Sequence, residues 1–401
     1  MSARGPRGRV VSVLSAVLAL GFTSAPAGVA EGAHVDYHEW RAARLAEGAH
    51  EGTAPVPGGL AIRHPVGILD GYEYARWTSP RRVTGFAATQ AVASWNADTP
   101  PGTWLQVELR GDDTPWYVMG RWASGDGDIA RTSVPGQADE HGSVDVDTFL
   151  AARPLRAYRL RVTLYRLADG GASPLLRMAG AMASAVPDRF TVPASAPGVA
   201  RGIELPVPRY SQNVHEGHYP EYDGGGEAWC SPTSTEMVVE YYGRGPSAED
   251  LSWVDPGHAD PAVDHAARHT YDRAYGGAGN WPFNTAYAAG FGLRGHVTRL
   301  RSLSELERHI ARGVPVITSQ SFREDELDGA GYGTAGHIMV VVGFTGDGDV
   351  IANDPASPSN DAVRRVYDRR QFETVWLRTR RHLADGSVGG GSGGIAYLIT
   401  R

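Results

Sequence analysis

Cys230 is the only cysteine in a chain of 401 residues. One thiol cannot cross-link a chain to itself, so the fold cannot be an internally disulfide-stapled scaffold and needs buried apolar cores. The length exceeds that of a usual single domain, and two are expected. With 42% apolar and 21% charged residues the chain has enough material for such cores. Its formal net charge of -7 gives no support to a nucleic-acid partner.

The N-terminus carries Arg4, Arg7 and Arg9, then the apolar run Val10 to Phe22, then the small residues Ala25 to Ala30. This is the layout of a secretory signal peptide over residues 1–30, cleaved near Ala30. The run is short for a membrane span, and no later segment is apolar for long enough. The expectation is a secreted, extracellular protein with no stable membrane insertion after cleavage. An exported protein that keeps one unpaired thiol calls for a chemical reason.

From Leu60 to about Pro193 short alternating segments lie between turns. Leu105, Val107 and Leu109, and likewise Tyr158, Leu160, Val162 and Leu164, repeat with the period of half-buried strands. Residues 31–195 are therefore expected to form an all-β sandwich or jelly-roll-like domain. Tyr37 to Leu45 reads as a short helix anchored by Trp40. Trp77, Trp95, Trp104, Trp116 and Trp122 suit core packing better than a carbohydrate-stacking platform. Asp126, Asp128, Asp145 and Asp147 suit turns, since no spacing among them matches a calcium loop. Residues 196–202, rich in Ala, Pro and Gly, read as a linker.

Residues 203–401 change texture. Helices are expected after Cys230, over Ser247 to Val254, over Pro261 to Asp272 and over Ser302 to Arg312. Strands follow at Pro315 to Ser319, His337 to Phe344, Val350 to Ala352 and Ile395 to Thr400. Helices first and a sheet afterwards is an α+β order.

Cys230 sits after three glycines and before Pro232, at or just ahead of a helix that Gly243 stops. Free N–H groups and the positive end of the helix dipole favour a thiolate there. A thiolate nucleophile needs a base, and the base an orienting acceptor. His337 opens an apolar strand and Asp354 closes the next one. Thr345-Gly346-Asp347-Gly348 between them is hairpin-turn chemistry. If Phe344 pairs with Asp349, Asp354 lies two positions along the partner strand on the same face as His337. A bulge would break that register and hand the role to Asn353.

The other histidines compete less well. His215 and His218 are three apart but have no cysteine pair at ligand spacing, so no metal is expected. His265 and His269 share a helix face without the glutamate of a metalloprotease helix. Gly331 to Gly336 is followed by a strand, which disfavours a phosphate loop.

The order Gln212, Cys230, His337, Asp354 resembles that of papain-like cysteine peptidases. Tyr210-Ser211-Gln212, Trp229-Cys230-Ser231-Pro232-Thr233-Ser234, Gly336-His337 and Asp354-Pro355 resemble cysteine peptidase family thirty-nine more closely, in its stand-alone secreted bacterial form. The resemblance covers about half the chain. It implies a papain-like domain over residues 203–401, with Cys230 as nucleophile, His337 as base and acid, and Asp354 orienting His337. It also implies that Gln212 and the Cys230 N–H hold the oxyanion, and that no cofactor takes part. The substrate would be a peptide or protein, in one form associated with the cell wall. The segment Asn213 to Trp229 departs from the pattern, because the oxyanion glutamine usually lies only a few residues before the cysteine. A cell-wall peptide hydrolase or acyl transferase of the same fold, and a glycan-binding protein with an inactive peptidase domain, are the alternatives.

Overall fold

The computed structural model describes residues 32–168 and 171–401, so the signal-peptide reading falls on residues outside it. The described residues from Gly32 to Arg401 form one unit. None of their helices is long and apolar enough to cross a membrane.

The alternating segments of the first half pair as their pattern requires. Leu105, Val107 and Leu109 in the strand Thr103–Gly111 face Leu164, Val162 and Leu160 in Thr148–Leu167. All six are fully buried. On the other face Arg161 stands opposite Glu108 and binds both its oxygens. The β-rich expectation therefore holds, but the strands form a single twelve-stranded antiparallel sheet rather than two separate ones. Two long strands, Arg82–Asp98 and Thr148–Leu167, change partners along their length, helped by register shifts near Leu155. Such bulges bend a strand and let one sheet wrap its own core.

Two elements of this half depart from the sequence reading. Tyr37 to Leu45 is not a helix: His34–Arg41 is a strand in unbroken register with Met178 to Ala185, and a 3-10 turn, Ala42–Glu47, follows. Val35, Tyr37 and Trp40 are strand formers, and pairing decides a segment this short. Trp40 is an anchor all the same, packed edge-on against Trp77 and Tyr158. Its partner strand Leu175–Ala185 is rich in Ala, Gly and Ser, which hides it from propensity.

In the second half the helices are α1 (Cys230–Tyr241), α2 (Pro261–Thr270), α3 (Trp281–Gly290), α4 (Leu303–Ile310) and α5 (Arg369–Leu377). Ser247 to Val254 makes successive turns instead of a helix. Ser247 and Asp250 form the reciprocal bonds of a capping box, but most of the segment is exposed and has no apolar face to dock. A six-stranded antiparallel sheet follows the order Arg294–Arg299, Ile395–Thr400, Val316–Phe322, Thr334–Phe344, Val350–Asn353, Arg364–Tyr367. Ile338, Val340 and Val342 join the core that holds Met237, Val238 and Val239 of α1. Met339 and Val341 join the core that holds Leu306 of α4 and Trp376 of α5. The sheet is thus covered by helices on both faces, as the alternation of one strand demands.

One hydrophobic core runs from the first half into the second. Phe283 of α3 lies 6.0 Å from the Trp95 ring and 5.4 Å from that of Trp122. Asn96 donates to Gly295 O and Val297 N donates to Ser94 Oγ. The segment expected as a linker is held in place: Glu307 accepts from Gly198 N and Ala200 N, and Arg369 donates to Ser195 O and Ala196 O. Phe283→Ala is expected to lower stability by about 3–5 kcal/mol, read from a denaturant titration followed by tryptophan fluorescence. Because the core is shared, both halves should unfold in one transition, and two separated transitions would contradict the packing.

Candidate functional site

Cys230 is the first residue of α1, after the 3-10 turn Gly226–Ala228. Gly243 ends the helix in the left-handed region, φ 68°. Its N–H reaches Glu240 O and that of Arg244 reaches Val239 O, the paired bonds of a Schellman stop. Ser231 and Tyr397 share a hydroxyl hydrogen bond, and Ser234 donates to Ile338 O beside His337. These contacts seat the cysteine end of α1 on the sheet.

The hairpin arrives at its expected register by an unexpected route. Phe344 pairs with Val350 rather than Asp349, so the turn holds one residue more. A bulge at Val342 takes that residue back, and Val341 faces Ala352 and Val340 faces Asn353 as the His–Asp reading requires. His337 Nε2 then donates to Asp354 Oδ1 at 2.8 Å. Asn353 turns away and donates to Pro208 O, so it holds the chain ahead of Gln212 rather than the imidazole. Nε2 is thus engaged, and the Cys230 thiol lies close enough to the ring to help raise its pKa.

Asp354 collects further donors. Tyr332 and Tyr367 give their hydroxyls to Oδ2 at 2.9 and 2.6 Å, and Ala356 N reaches Oδ1. Burial by itself would lower the pKa of His337; the charge and hydrogen bond of Asp354, with the Cys230 thiol, overcome this and push it up to about 10. Burial would raise that of Asp354, but His337 and the two tyrosines bring it below its ordinary value. Burial and the Asp354 charge hold both tyrosines protonated. Both shifts favour an imidazolium–carboxylate pair, whose members are 5% and 1% exposed. Tyr367→Phe is expected to cost about 1.5–3 kcal/mol in urea unfolding, the worth of a hydrogen bond to a charged group.

Gln212 is buried in a 3-10 turn, Gln212–His215. Its N–H donates to Pro355 O next to Asp354, and its Nε2 donates to Glu227 O at 2.7 Å. It therefore bridges the chain leading into Cys230 and the chain leaving Asp354, despite the segment inserted between Gln212 and Cys230. One amide hydrogen is left to point elsewhere.

Tyr332 and Tyr367 had no assigned role in the sequence. Tyr332 lies in the Gly331 to Gly336 stretch considered as a phosphate loop; its glycines instead let a tyrosine turn onto Asp354. His265 and His269 stack on each other and bond Tyr287 and Ser124 O. Trp77, Trp95, Trp104 and Trp122 are buried, so these four rings offer no stacking platform. Asp126 pairs with Arg131 and Arg268, whereas Asp147 accepts from Trp281 N. His215 and His218 both lie against Asp264.

Comparison with known families gives two matches. Residues 36–184 match the Peptidase C39 N-terminal domain, and residues 204–383 match the Peptidase_C39 like family. No curated protein matches the chain.

Proposed function

We propose that this chain, a C39-family cysteine-peptidase-like protein, hydrolyses peptide bonds with Cys230, His337 and Asp354 as its catalytic set. The observation that carries the reading is the imidazole of His337, held by Asp354 at Nε2 and close to the Cys230 thiol at the head of α1. We read the C-terminal half as papain-like: a helix starts at the cysteine and meets a sheet that carries the histidine and its acceptor.

In this reading a protonated His337 favours the thiolate beside it. The sulfur attacks the scissile carbonyl, and the developing oxyanion is met by the Cys230 N–H and the remaining amide hydrogen of Gln212. The first N–H groups of a helix have no acceptor within it, so the Cys230 N–H is free for this. His337 gives its proton to the departing amine as the C–N bond breaks, which leaves a thioester on Cys230. The neutral imidazole then takes a proton from water, which attacks the thioester and releases the acid. Asp354 stays charged throughout and fixes the ring's orientation.

Export remains part of the proposal and rests on the Arg4 to Ala30 pattern; N-terminal sequencing of protein recovered from culture medium tests it. Peptide libraries and peptidoglycan fragments test the activity. New amino termini that vanish with a thiol-directed inhibitor support hydrolysis. Incorporation of an added amine without release of free acid would move the reading to acyl transfer.

A further inference from the structure

We propose that His215, His218 and Asp264 bind one zinc ion, with His258 packed beside them, and that the ion fastens segment 213–229 to α2. His215 and His218 come from one tight turn, in which His218 N donates to His215 O. Asp264 lies in the first turn of α2, and His258 in the loop before it. The Nδ1 atoms of His215, His218 and His258 stand 3.1, 3.2 and 3.5 Å from the two carboxylate oxygens of Asp264. Donors about 2.0–2.1 Å from a tetrahedral zinc are themselves roughly 3.3 Å apart, which these spacings match. The ligand atoms of His215, His218 and Asp264 all lie within 4.8 Å of one another.

Hydrogen bonding accounts for only one contact of the cluster, His218 Nδ1 to Asp264 Oδ1 at 3.2 Å. His215 is fully buried, yet neither ring nitrogen has a partner among the described residues. Its Nδ1 is close to Asp264 Oδ2 but not aligned to bond it, and Oδ2 is also without a partner. His258 Nδ1 is buried and unbonded as well, with its ring stacked on that of His218. Buried polar atoms are nearly always satisfied, so several orphans around one carboxylate point to an ion between them. Imidazole nitrogens with a single carboxylate suit zinc; calcium and magnesium ask for oxygen donors. The ligands come from two separate stretches of chain, the turn at 215–218 and α2, which one ion would tie together, so the site is structural. Spacing alone did not reveal it, because the decisive donor lies 46 positions after His218.

The test uses the full chain carrying Cys230→Ala, so that no metal can sit on the thiol. Purified in zinc-supplemented buffer and dialysed, it should retain one zinc per chain by mass spectrometry of metals. A strong chelator should lower its melting temperature and zinc should restore it. His215→Ala with His218→Ala should abolish retention. If that variant does not fold, cobalt added to the chelated parent chain should give the intense visible bands of a tetrahedral site. Less than about one zinc in five chains together with a melting temperature indifferent to chelator would overturn the assignment. Full retention by a folded double variant would do so too.

Discussion

Cys230→Ala is expected to lower kcat/KM for any peptide the chain cleaves by about 1,000-fold or more, the size of effect seen when a nucleophile is removed from a working set. The melting temperature should hardly move, because Cys230 is only partly buried at the edge of the core. That separation matters: lost activity with a retained fold identifies a reacting group, whereas loss of both would not. Since the chain has no other cysteine, no second thiol can take over. A variant that kept a tenth of the activity would remove the thiol from the chemistry.

Asp354→Ala carries the second large effect, on stability as well as rate. Removing one partner of a buried ion pair costs about 3–5 kcal/mol, because the other is left without compensation. The pH dependence follows from the two shifts. His337 is raised, so its contribution is complete below about pH 6.5 and fades as pH climbs through about 10. Asp354 is lowered, so its contribution is present above about pH 3.8 and fades as pH falls through its folded value. The deficit of the variant should therefore be greatest between about pH 4 and 6.5 and shrink toward both extremes. Asp354→Asn keeps an acceptor for Nε2 without the charge. It should recover part of the activity, and the gap between the two variants measures how much the charge adds to orientation. A deficit independent of pH would show that the pair is not ionised.

Much of the site was legible because its signals are local. Glycines before Cys230, Pro232 after it and Gly243 at the end define one helix with Cys230 at its start. The hairpin between His337 and Asp354 was legible as a pairing, although two irregularities had to cancel for the register to hold. What depends on sheet order was not legible. Tyr367 reaches Asp354 only because Arg364–Tyr367 is the edge strand beside Val350–Asn353. Tyr37 to Leu45 looked helical because the pairing partner of its first half, the alanine-rich strand Leu175–Ala185, gave no signal of its own. α3 is almost uniformly apolar and has no polar face to mark its period; it lies buried where the first half meets the second. The Asp264 cluster joins donors from distant parts of the chain, which no local spacing can announce.

The most direct measurement is the alkylation rate of Cys230 by iodoacetamide across pH, in the parent chain and in His337→Ala. Every label reports on one residue, because there is one cysteine. The expected result is labelling near pH 6 at least tenfold faster than a free small thiol, lost when His337 is replaced, since the imidazolium is what favours the thiolate. Labelling no faster than the free thiol, or unchanged by His337→Ala, would contradict the proposed Cys230–His337 pair.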